Sequence, residues 1–138
     1  MKCIRSFVFF VFAVFSLSGM AREPEPLRVI ENANLIRADG KPITLSKMHD
    51  AILLAANGQG WEILKDDAPG VVVLKYAYKK RIRVVVTVNF TGNSYSIAHR
   101  DSVELFYSDN SGSPVIHPRY YEFVDPLNDS IRRGVVEN

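Results

Sequence analysis

The chain has 138 residues, 17 of them basic and 15 acidic, a hydrophobic fraction of 47% and a single cysteine. This composition excludes an intrinsically disordered segment and a globally basic nucleic-acid binder, and one cysteine excludes a disulfide framework. The length fits one globular domain.

The first predicted element is an export signal over residues 1–21. Lys2 and Arg5 precede an apolar run over residues 7–17 that only Ser16 interrupts, and the small residues Ser18, Gly19 and Ala21 follow. These are the charged, apolar and cleavage regions of a secretory signal peptide, with cleavage expected after Ala21. A spanning helix needs about 20 apolar residues, so the run is too short for one and no transmembrane anchor is expected after cleavage. Lys2, Arg5 and Cys3 leave with the signal and no acidic residue does, so the mature chain is cysteine-free with 15 basic and 15 acidic residues. An exported domain of this size without disulfides points to a bacterial periplasm.

Residues 22–44 read as a leader. Charge and proline alternate over residues 22–26, which predicts a flexible stretch; residues 27–30 predict a short strand, and Asp39-Gly40 a turn. Over residues 45–57 Leu45, Met48, Ile52, Ala55 and Ala56 fall at helical spacing, with Ser46, Lys47 and Asp50 opposite. Thr44 or Ser46 is placed to cap the first turn, and Asn57-Gly58 to end the helix.

The period then changes to two. Four strands are predicted at 61–65, 71–80, 83–90 and 95–107, joined by turns over 66–70, 78–81 and 91–94, which makes an antiparallel meander. Val72, Leu74, Tyr76 and Tyr78 share one face, as do Ile82, Val84, Val86, Val88 and Phe90, whereas the alternate residues mix charge with small side chains. One side of the sheet is therefore expected under helices and the other largely wet. Trp61 and Ile63 share a face, which makes the lone tryptophan a core anchor. Pro118 opens a last helix with Tyr120, Phe123, Val124, Leu127 and Ile131 on one stripe. Pro126 lies inside it, so a kink or break is expected there, with Asp125 capping a second segment.

The predicted fold is α+β and two-layered: a four-stranded antiparallel meander sheet with an N-terminal and a C-terminal helix on one face. It occupies residues 45–133, followed by a tail over 134–138. Ala51-Ile52 with Gly60-Trp61, the run from Tyr95-Ser96-Ile97 through Asp101-Ser102 to Leu105, and Ile116-His117 through Tyr120 to Leu127 and Ile131 together resemble a family of short exported proteins and lipoproteins of Gram-negative bacteria. The resemblance spans residues 45–131 and implies the compartment and the fold; the family carries no activity to transfer. Tyr121 and Phe123 stand where its pattern has Asn and Trp.

Two constellations carry chemistry. His99, Asp101 and Ser102 near a strand end, with His117 before the last helix, supply the residue types of a hydrolytic triad or, through His99, Asp101 and His117, of a zinc site. Strand alternation places His99 and Asp101 on one face and Ser102 on the other, so one strand does not assemble the relay; Asp101 or Ser102 is expected to bond turn backbone, and His117 to cap the helix. His49, among polar neighbours, is assigned no chemical role. The second constellation is the basic cluster Lys75, Lys79, Lys80, Arg81 and Arg83 around a hairpin tip, a contact for phosphate, lipid head groups or an acidic partner. Tyr76 and Tyr78 alternate with it and are expected in the core.

No catalytic, cofactor or metal residue is assigned. The expected function is a small non-enzymatic periplasmic protein that binds another envelope component, a periplasmic or outer-membrane protein, through the open face or edge of its sheet, with no nucleic-acid role. The alternatives are a small metal-dependent or triad hydrolase on His99, Asp101 and His117, and an inhibitor of an extracellular enzyme acting through the loop over residues 108–114.

Overall fold

A computed structural model describes residues 22–109 and 112–137; the expected export signal lies outside them. The chain is α+β. In chain order it forms β1 (Glu25–Pro26), β2 (Ile30–Asn32), α1 (Leu45–Gly58), β3 (Glu62–Ala68), β4 (Val71–Tyr78), β5 (Ile82–Phe90), β6 (Tyr95–Val103), β7 (Val115–Ile116) and α2 (Arg119–Glu137).

Thr44 starts α1 as expected: its Oγ1 accepts the Lys47 N–H at 3.1 Å. The helix ends at Gly58, which stays helical, and the left-handed exit expected at Asn57-Gly58 falls instead at Gly60, with φ +79°. Four strands of the main sheet form the expected meander, and β2 adds a fifth, giving the antiparallel order β2-β6-β5-β4-β3. The leader is not free: β1 pairs with β7, and Tyr121 Oη donates to the Pro26 carbonyl at 3.2 Å while accepting the Arg28 N–H at 3.0 Å. The short strand expected at 27–30 overlaps β2 only at Ile30; β1 precedes it, and between them Leu27 N–H donates to the Pro114 carbonyl beside β7.

The edge strand β3 runs through the expected turn at 66–70 as far as Ala68, since two register shifts let Asp66 and Asp67 sit in an exposed, irregular edge. The turn proper is Pro69-Gly70. Gly70 has φ +78°, and a Cβ there would stand 3.0 Å from the Phe90 carbonyl oxygen, so both conformation and space require glycine.

The buried side of the sheet is the expected one. Val72, Leu74, Val84, Val86, Val88 and Ile97 are buried against Met48, Ile52 and Ala56 of α1 and Tyr120, Val124, Leu127 and Ile131 of α2. Trp61 joins this core and packs on Tyr76 at 5.3 Å; Phe123 in turn meets Tyr76 at 5.1 Å and Tyr78 at 5.4 Å. The opposite side is not uniformly wet: Val73, flanked by Thr87 and Lys65, is only 4% exposed.

Pro126 does not break α2. The helix is continuous from Arg119 to Glu137, so Asp125 caps no second segment and residues 134–137 are helix rather than tail. Leu127, Ile131 and Val135 are all buried beyond the proline, and their burial outweighs the one hydrogen bond the ring removes.

Candidate functional site

β6 ends at Val103, short of the residue 107 expected from the pattern, because the backbone turns left-handed at Glu104 (φ 62°) and Phe106 (φ 53°). Leu105 between them is buried, whereas Phe106 is 70% exposed and Tyr107 44%. A left-handed conformation costs an L-residue roughly 1–2 kcal/mol, so a bulky aromatic held out to solvent in this way is a strained arrangement.

The same end of the sheet carries the β4–β5 turn. Lys79 (φ 51°) and Lys80 (φ 59°) occupy the two left-handed positions of a tight hairpin, where Asn and Gly are usual. Arg81 Nε reaches Glu104 Oε2 at 3.6 Å, which ties the turn to the segment after β6. Arg119, at the start of α2, lies over the Tyr78 ring at 4.7 Å, and Lys79 Nζ approaches that ring at 5.3 Å. Of the predicted basic cluster, Lys75 sits back along β4, 4.0 Å from Glu62, and Arg83 pairs across from Val103. Lys79, Lys80 and Arg83 make no ion pair among the described residues.

The polar constellation is rearranged by a register shift between Val85 and Val86. Val86 pairs with His99 and Val85 with Asp101, leaving Arg100 as the extra residue of a bulge. Ser102, opposite the buried Val84, thereby joins His99 on the inner side and Asp101 moves to the outer one, the reverse of the simple alternation. His99 Nε2 and Ser102 Oγ are 2.9 Å apart, and Asp101 Oδ1 accepts the Ser102 backbone N–H at 2.9 Å, as turn bonding predicts. Tyr107 stacks on His99 at 4.5 Å and Tyr120 meets its ring edge-on at 5.7 Å.

This is a serine–histidine pair without the carboxylate that would orient the imidazole: the only hydrogen bond of the Asp101 carboxylate among the described residues goes to backbone. His117 stands apart. Its Nδ1 accepts the Arg119 N–H at 3.0 Å, capping α2 as expected, and its ring lies 6.1 Å from Phe106. Among the described residues no group of three or more His, Cys, Asp or Glu is gathered as a metal site would require.

Burial pushes the His99 imidazole below its ordinary value of 6.5, against a smaller upward pull from Asp101. The folded state thus resists a proton that the unfolded chain accepts. Stability from this residue is complete above about pH 6.5 and is lost as pH falls from there through the folded value. Denaturation followed at several pH values should show the native protein losing stability below pH 6.5 relative to His99→Gln; parallel curves would contradict the burial of a neutral ring.

One polar contact had no sequence signal. His49 Nε2 lies 2.7 and 2.8 Å from the two Asp66 carboxylate oxygens, joining α1 to β3 beside a groove of about 400 Å³ lined by Leu45, Ser46, Pro69 and Phe90. His49 thus joins the helix to the sheet edge through a polar contact, a structural part that leaves its expected lack of a chemical role untouched. No family model, no curated protein and no solved structure matches the chain.

Proposed function

We propose that the chain is an exported, non-catalytic binding protein of the cell envelope, and that its contact surface is the sheet end formed by the β4–β5 turn, residues 104–107 and the start of α2. One observation carries the reading. Of the five non-glycine residues with left-handed backbone among those described, Lys79, Lys80, Glu104 and Phe106 lie at this end; only Asn34 lies elsewhere. Backbone strain of this kind persists where the surrounding structure imposes it, and it gathers at functional positions. Here it presents cations and an aromatic ring to solvent instead of hiding them. The signal-like leader supports the envelope as the compartment.

Photo-reactive side chains placed at Lys80 and Phe106 in intact cells should give adducts with an envelope component, while the equally exposed positions Ile36 and Leu54 should not. Silence at Lys80 and Phe106, or equal labelling at all four, would overturn the reading. A hydrolase built on His99 and Ser102 is the second reading, favoured by their 2.9 Å contact. The missing orienting carboxylate and the stacked Tyr107 weigh against it, and covalent capture of Ser102 by a fluorophosphonate would reverse that order.

A further inference from the structure

We infer that the component met by this end is an anionic lipid surface, on which Phe106 and Tyr107 enter the head-group layer while Lys79, Lys80 and Arg83 face the phosphates. The inference rests on the reading above, since it names the partner of the same surface.

Two features favour lipid over an acidic protein. A bilayer accepts a lone apolar side chain wherever it projects, and Phe106 is 70% exposed while Leu105 beside it is buried. The cations and the apolar rings are interleaved: Arg119 and Lys79 flank Tyr78, and Arg81 is joined to Glu104 two residues before Phe106. Amphipathic rings at the head-group level beside lysine and arginine are the chemistry of peripheral contact with anionic membranes. No helix among the described residues is long and apolar enough to cross a membrane.

The test is co-sedimentation of the protein, expressed from the full chain and purified as the cell processes it, with vesicles of phosphatidylethanolamine containing about one third phosphatidylglycerol, against phosphatidylcholine vesicles. Binding to the first and not the second is expected, weakening as salt rises from about 0.05 to 0.5 M. Two variants separate binding from folding, because each relieves backbone strain at its own site. Lys79→Asn with Lys80→Gly installs the favoured turn sequence, and Phe106→Gly removes a side chain from a left-handed position. Each should melt no lower than the parent, yet bind the anionic vesicles more weakly: roughly 25-fold for the two-lysine variant, each surface cation being worth about a five-fold factor, and roughly ten-fold for Phe106→Gly, which loses the burial of one apolar ring. Failure of the parent protein to bind, equal binding to both vesicle types, or unchanged binding by both variants overturns the inference. If vesicles are not bound while Lys80 and Phe106 photo-label an envelope protein, the lipid assignment fails and the binding surface stands. If neither occurs, both fall.

Discussion

Replacing Pro126 by alanine is expected to stabilise the protein by about 2 kcal/mol. Pro126 is exposed in the interior of a helix that runs unbroken from Arg119 to Glu137. A proline there has no N–H for the carbonyl four residues earlier, and its ring crowds that carbonyl; together these cost about 3 kcal/mol in a helix interior. Alanine restores the donor and the best helix propensity. Against this, the unfolded chain regains the freedom that proline denied it, which takes back roughly 0.4–1 kcal/mol. For a domain of this size the net gain amounts to a rise of several degrees in Tm. A Tm that stays level or falls would mean that the proline-induced distortion is needed to seat Leu127, Ile131 and Val135 in the core, and the straight helix would then be the strained form.

Pro126 also marks where sequence reasoning reached its limit. Its local rule is sound, but a local rule does not weigh three buried residues farther along the same helix. The hairpins were readable because both of their determinants are local: period-two alternation in β4 and β5, and turn chemistry at Pro69-Gly70 and Thr91–Ser94. The strands β1 and β2 were legible only as one short strand over residues 27–30, because they are two and three residues long and their partners β7 and β6 lie far along the chain.

The candidate site failed to appear for a related reason. Arg100 is neither glycine nor proline, and nothing in the sequence signals that it bulges; yet that one extra residue exchanges Asp101 for Ser102 beside His99. The basic cluster was visible by composition, since five cations in nine positions need no fold to be noticed. What composition hid was the company they keep: Glu104, Phe106 and Arg119 reach the same end of the sheet only through the turn after β6 and the start of α2. The His49–Asp66 contact joins a helix to a strand edge and is equally invisible without the fold.

Tyr120→Ala is expected to cost about 3–5 kcal/mol, whereas Tyr120→Phe should cost nothing or stabilise by up to about 1 kcal/mol. Tyr120 is wholly buried, packs edge-on against His99 at 5.7 Å and Tyr121 at 5.1 Å, and is among the largest side chains in the core. Its hydroxyl nevertheless has no hydrogen-bond partner among the described residues, and burial drives its ionisation well above the ordinary phenol value. Truncation to alanine therefore removes a large apolar surface and leaves a cavity under His99, while loss of the hydroxyl alone removes a desolvated group that receives nothing in return. Tyr95 supplies the control. It is equally enclosed, but its hydroxyl donates to Asn128 at 2.7 Å to Oδ1 and 3.0 Å to the carbonyl, so Tyr95→Phe should cost about 1–2 kcal/mol. Denaturant titration of the three variants decides the matter. If Tyr120→Phe proves as costly as Tyr95→Phe, the Tyr120 hydroxyl is bonded in solution, and the inner side of β6 around His99 and Ser102 is a polar network instead of a packed aromatic floor.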